Sequence, residues 1–152
     1  MIHRMDNVLI VVDDLDGAVE FFRNIGMELE GRSTLEGDWA GRVIGVPDAR
    51  QEIAMLRPPA GGCGVELAKF TTPAAIVPEP EDAPANTLGI RRVMFAVDDI
   101  DAVVDRLLDD GAALVGELVQ FENVYRLCYV RGPENIIVGL AEQLAEQTQE
   151  DA

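Results

Sequence analysis

Histidine, lysine and serine each occur once in the 152 residues, as His3, Lys69 and Ser33, and cysteine occurs twice, as Cys63 and Cys128. A structural zinc site takes about four nitrogen or sulfur ligands, and a disulfide framework needs more cysteines than two. Both thiols therefore read as reduced, small and mostly buried. A serine triad would have to join Ser33 to His3, and their placement gives no reason for it. Amine chemistry has only Lys69, which reads as a solvated charge at a strand end. P-loop, GxGxxG, GxSxG and HExxH patterns are missing. Basic charge is scarce too: 12 Lys and Arg against 28 Asp and Glu leave a formal charge of −16. Nucleic acids and anionic lipid surfaces would be repelled. The longest apolar runs, such as residues 8–12, fall far short of the roughly 20 residues of a membrane span. Asp6 follows His3 and Arg4 at once, with no small-residue cleavage site, so no signal peptide is read and a cytoplasmic location is expected.

What the chain does have is apolar residues, 48% of the total, enough for one domain with a real core. It also has a repeat. Residues 7–31 and 92–116 align without a gap at an offset of 85, with nine of 25 positions identical. Each copy opens on a β-branched apolar run, residues 8–12 and 93–97, suited to a buried strand. An Asp-Asp pair follows, Asp13-Asp14 and Asp98-Asp99, suited to cap a helix start. Apolar residues at helical spacing come next: Leu15, Ala18, Val19 and Phe22, then Ile100, Val103, Val104 and Leu107. Gly26 and Gly111 end these helices, where a left-handed residue is needed.

Strands are expected after each helix: residues 27–32, 51–56 and 65–70 in the first copy, and 113–119, 125–130 and 136–141 in the second. Residues 33–50, with Trp39, read as a long irregular segment. Residues 58–62 and 132–135 read as turns. The copy ends match as well, Val65-Glu66-Leu67-Ala68 against Val138-Gly139-Leu140-Ala141, at an offset of 73. The fold class is thus α+β, with two tandem βαβββ modules. Module 1 covers residues 5–70 and module 2 residues 90–142. A Pro-rich linker joins them over 71–89, and an acidic tail runs over 143–152.

In this pattern the chain resembles the vicinal oxygen chelate superfamily, which includes glyoxalases, bleomycin-resistance proteins and extradiol dioxygenases. The segments that carry the resemblance are MDNVLIVVDDLDGAVEFFRNIGMELEG, GVELAKF, LGIRRVMFAVDDIDAVVDRLLDDGAALVGE and YVRGPENIIVGLAE. It implies a cupped mixed sheet with helices on its outer face, a small-molecule ligand and a homodimer. In metal-dependent members each module gives one ligand from its first strand and one from its last, and the ion polarises substrate oxygens. The corresponding positions here are Asn7, Glu66, Arg92 and Gly139. Glu66 is the one anionic donor among them, and so both the candidate metal ligand and the candidate catalytic residue. Asn7 is neutral, Arg92 is a cation without a lone pair, and Gly139 has no side chain. A divalent metal is therefore poorly supported as a cofactor.

If Arg92 and Glu66 both face the cup, they form an ion pair there, or Arg92 receives a ligand's carboxylate or phosphate in fork geometry. Period-2 alternation places Leu9 and Met94 toward the same apolar wall. Trp39 either closes over the mouth or anchors its loop on the core. Tyr125 and Tyr129 share a face of one strand, as ligand donors or as packing. The candidate ligand-binding residues are thus Asn7, Arg92, Leu9, Met94, Trp39, Tyr125 and Tyr129. Two functions follow from the resemblance. One is an enzyme of lyase or isomerase type, or one related to the dioxygenases, acting on a small oxygenated metabolite. The other is a metal-free protein that sequesters an antibiotic-like molecule.

Overall fold

A computed structural model describes residues 1–144. The chain divides into two compact units, Met1–Glu81 and a second that begins at Asp82. Both are mixed α+β modules of the expected βαβββ kind.

In the first unit, β1 (Asn7–Val11) leads into α1 (Leu15–Ile25). Asp14 caps the helix by accepting a hydrogen bond from the Gly17 amide at 2.9 Å, which satisfies a donor that the helix start leaves open. Gly26 ends it at φ 116°, where a side chain would be strained. The strands β2 (Glu28–Leu35), β3 (Arg50–Arg57) and β4 (Gly64–Thr72) follow. The sheet order is β1-β4-β3-β2, with β1 parallel to β4 and the other pairs antiparallel. Ile10, Leu67 and Ala54 lie side by side across three strands, as do Leu56 and Val65. Together with Leu15, Ala18, Val19, Phe22 and Ile25 of α1 they form the buried core. The helical spacing of the first repeat thus finds its complement in strands of period 2.

The irregular segment expected over residues 33–50 is a correction. β2 continues to Leu35, and a helix α2 (Asp38–Ile44) lies between it and β3. Seven residues with a glycine at their centre and one at each cap carry too weak a period to announce themselves as helix. Ala40 and Gly41 are its buried positions.

The second unit repeats the plan with β5 (Arg92–Ala96), α3 (Ile100–Asp109), β8 (Tyr125–Arg131) and β9 (Ile137–Gln143). Asp99 caps α3 by accepting from the Ala102 amide at 3.1 Å. Ile100, Val103, Val104 and Leu107 are all buried. The expected strand over residues 113–119 is broken into β6 (Ala113–Leu114) and β7 (Val119–Phe121), which pair with different parts of β8. Gly116 lies in this break, where a residue without a side chain adds nothing to a strand. The turn over 132–135 contains a short 3-10 segment, Pro133–Asn135.

The register confirms the duplication: Val8 pairs with Val65, and their counterparts Val93 and Val138 pair likewise. The linker begins later than expected, because β4 runs to Thr72. Its far part is held by Arg131, which donates to the carbonyls of Asp82 and Ala83 at 3.2 and 3.1 Å. β9 takes in Gln143, the first residue of the expected tail; residues 145–152 of that tail lie outside the described residues. Among the described residues no helix is long and apolar enough to cross a membrane.

Helix α3 is also tied to its sheet by charge. Arg126 of β8 holds Asp101 through two hydrogen bonds, at 2.5 and 2.9 Å. The hydrogen bonds from Arg126 hold the Asp101 carboxyl below its ordinary value, against a smaller opposing effect of desolvation. A depressed carboxylate stabilises the fold above the ordinary carboxylate range, and that contribution is lost as pH falls through the lowered value. Arg126→Gln is therefore expected to lower stability at neutral pH and to leave a shallower loss on acidification. Urea midpoints at pH 7 and in the acid limb test this; parallel curves for the two proteins would refute it.

Candidate functional site

Each sheet has a helix on one face, and the family-implied positions lie on the other. In the first unit Leu9 of β1, Glu66 of β4 and Met55 of β3 stand directly opposite one another in a row across the sheet. Leu9 is exposed, and Glu66 and Met55 are half-buried. Asn7 is two residues before Leu9, on the same face and exposed. The carboxylate of Glu66 thus sits between two apolar neighbours.

The equivalent row in the second unit is Met94 of β5, Gly139 of β9 and Tyr129 of β8. Here the middle position is bare, and its neighbours have closed over it. A Cβ on Gly139 would lie 3.1 Å from Cγ of Met94 and 3.4 Å from Cε1 of Tyr129. Arg92 starts on β5 and Tyr129 on β8, two strand spacings or roughly 10 Å apart. They nevertheless meet. Nη1 of Arg92 donates to the Tyr129 hydroxyl oxygen, and its Cζ lies 5.3 Å from the Tyr129 ring centroid. A side chain at position 139 would stand in the path of that contact. The sequence leaves Glu66 or a ligand's carboxylate or phosphate open as partners of Arg92; within its own module the structure gives it a neutral phenol.

This geometry tests the metal site that the resemblance implies. The second unit would contribute a cation already bonded to a tyrosine and a glycine with no ligating side chain. The first unit contributes one carboxylate and one neutral amide. Divalent ions are held by converging anionic or lone-pair donors, so these four positions do not fit one. Among the described residues no group of three or more His, Cys, Asp and Glu is gathered as a metal cluster.

The remaining candidates are placed as follows. Trp39 is on α2 rather than in a loop, and 59% exposed, so it is not an anchor packed on the core. Tyr125 is exposed at the start of β8, paired with Phe121 and Gln143. Cys128 is buried, which pushes its thiol up and keeps it protonated. Cys63 is half-buried, and its thiol donates to the Gly64 carbonyl at 3.5 Å.

Two features escaped the sequence reading. Gln51 is a buried polar side chain, 4% exposed, on the same face of the sheet as Glu66; alternation along β3 was the available signal. The part played by Gly139 had no signal at all, since a missing side chain announces no contact.

The chain matches the sequence profile of the Glyoxalase/Bleomycin resistance protein/Dioxygenase superfamily over residues 4–139. A glyoxalase family protein from Bacillus cereus, known from a crystal structure, is 54% identical, with a TM-score of 0.91 over 95% of this chain and 97% of that one. An ethylmalonyl-CoA/methylmalonyl-CoA epimerase from Cereibacter sphaeroides is 34% identical over 117 residues, 76% of this chain and 77% of the epimerase. Two CFP32 proteins, of Mycobacterium tuberculosis and Mycobacterium bovis, are 34% identical over 67 residues. The chain spans only 26% of their length.

Proposed function

This chain belongs to the Glyoxalase/Bleomycin resistance protein/Dioxygenase superfamily, and from that premise we propose that it acts on a small oxygenated metabolite, by lyase or isomerase chemistry, without a divalent ion. The observation that carries this reading is the row of Met94, Gly139 and Tyr129, in which one position implied as a ligand has no side chain and the other, Arg92, donates to the Tyr129 hydroxyl. The 34% identical epimerase supports the isomerase type. Such a reaction removes a proton beside a carbonyl and returns it, and the negative charge that develops on oxygen must be stabilised. Glu66 is a half-buried carboxylate able to take a proton. Arg92 and Tyr129 are donors for an oxygen, in the role a Lewis acid fills elsewhere in the superfamily.

A second reading has its own support. Leu9 (47%), Val11 (39%) and Met94 (41%) leave an apolar wall open on the candidate faces, which suits sequestration of an antibiotic-like molecule with no turnover. In both readings the partner is a small molecule and the assembly a homodimer.

The test is metal content together with α-proton exchange. Purified protein is expected to hold far less than one equivalent of Zn, Ni, Mn or Fe. In deuterated buffer it is expected to exchange the α-proton of a member of a panel of acyl thioesters and 2-oxo acids, unaffected by a chelator. Glu66→Gln should slow that exchange by about a hundredfold or more, as loss of a general base does. Stoichiometric metal that is lost with Glu66→Ala would overturn the reading. Binding without exchange would decide for sequestration.

A further inference from the structure

We propose that the open face of the second unit is a receptor for a monoanionic organic carboxylate, gripped by the Arg92 guanidinium and the Tyr129 hydroxyl above the bare backbone of Gly139. The inference rests on the reading of these sheet faces as the ligand surface and names the chemical class of the ligand.

Charge pairing is the first argument. The chain carries far more acids than bases, and its arginines are mostly spent on them. Arg4, Arg32, Arg42, Arg50, Arg57 and Arg126 each hold an Asp or Glu within 3.5 Å. Arg131, on the same face as Arg92, spends its guanidinium on the carbonyls of Asn135, Asp82 and Ala83. Arg92 is exposed and donates to a neutral hydroxyl. In so acidic a chain, a cation on a sheet face bonded to no carboxylate among the described residues is arranged to receive one from outside.

Proton direction is the second. The phenol oxygen accepts from Arg92, so its own proton is available to a further acceptor. Arg92 keeps the N–H groups of Nε and Nη2 beside the one it gives to Tyr129. A carboxylate has two oxygens and takes one donor from each residue. The floor is the third argument. Position 139 has no Cβ beside the Arg92–Tyr129 contact, and Met94 closes the side, its Cγ 3.1 Å from where a Cβ would stand. Exposed Met94 and half-buried Leu127 offer apolar contact for the ligand's body.

Charge balance selects the class. One guanidinium and one neutral donor match a single negative charge. A phosphate dianion would bring a second charge with no second free cation on this face, in a protein that already repels anions.

The probe is sodium benzoate, with benzamide as its neutral isostere and inorganic phosphate as the competing anion. The readout is the 13Cζ resonance of Tyr129, isolated by Tyr125→Phe in the full chain. Benzoate is expected to give a saturable shift, with benzamide and phosphate each at least about tenfold weaker, the size expected when one charge-assisted hydrogen bond is lost. Arg92→Gln should weaken benzoate by about tenfold or more, and Tyr129→Phe by a few fold in calorimetry. Both residues are surface-accessible, and far-UV circular dichroism checks that each variant folds. Equal affinity for benzoate and benzamide, a preference for phosphate, unchanged affinity in Arg92→Gln, or no saturable shift at millimolar benzoate would each overturn the inference. Exchange that depends on Glu66 alongside any of those results leaves the proposed reaction standing. Benzoate binding through Arg92 without exchange does the reverse.

Discussion

Phe22→Ala is expected to lower the unfolding free energy by about 3–5 kcal/mol, and its counterpart in the second repeat, Leu107→Ala, by about 2–5 kcal/mol. Both positions are closed to solvent, at 0% and 1% exposure. They are equivalent in the duplication, 85 residues apart, each in the third turn of a helix and part of its buried stripe. Truncation leaves a cavity as well as losing transfer energy, since a sheet on one side and a helix on the other relax only in part. Phe22 also loses an edge-to-face contact with Phe21, whose ring centroid is 5.2 Å away at 80°. Guanidinium titrations followed by circular dichroism would measure both losses. Midpoints within error of the unmodified protein would mean that the apolar stripes of α1 and α3 do not face their sheets.

The second large effect is expected where the sequence shows only a glycine. Gly41→Val should cost about 1–3 kcal/mol through overpacking. A Cβ at this position would lie 2.7 Å from the Val46 carbonyl oxygen and 3.3 Å from the Asp48 amide nitrogen. Both are backbone atoms, so no side-chain rotation relieves the clash. Even Gly41→Ala should destabilise, although helix propensity alone favours Ala over Gly by about 1 kcal/mol. The close approach outweighs that gain because the loop after α2 folds back against the helix, where Val46 donates to the Gly41 carbonyl at 3.1 Å. Gly31→Ala is the control, since a Cβ there meets nothing within 4 Å. Thermal unfolding followed through Trp39, exposed on the same helix, reads the effect near its source. A melting temperature for Gly41→Ala at or above that of the parent would contradict the packing described for α2.

The elements legible in advance were those whose signal is local and doubled. The Asp14 and Asp99 caps, the buried stripes and the glycine after each first helix rest on interactions within a few residues, and each was written twice. α2 is not legible because seven residues around a central glycine present no clear period. The strand expected over 113–119 was overextended because alternation does not report where a chain changes its partner.

The candidate site divides along the same line. Glu66, Asn7, Arg92 and Gly139 are the positions that the family resemblance implies, and Glu66 shares a sheet face with Leu9 as Gly139 does with Met94. Their chemistry was only half readable. Two partners are open to Arg92 in the sequence, Glu66 or a ligand's carboxylate or phosphate, and within its own module it meets Tyr129. That choice depends on two strands lying on either side of a third, and on the gap the third leaves at Gly139.

By itself the sequence determined the duplicated βαβββ plan, since hydrophobic period, capping and strand offset act between near neighbours and need no tertiary information. Only the tertiary structure decided that Met94 and Tyr129 flank Gly139 in the second module and that Arg92 reaches Tyr129. Contacts across a sheet join residues 37 positions apart along the chain, and no local rule fixes which side chain reaches over an empty place.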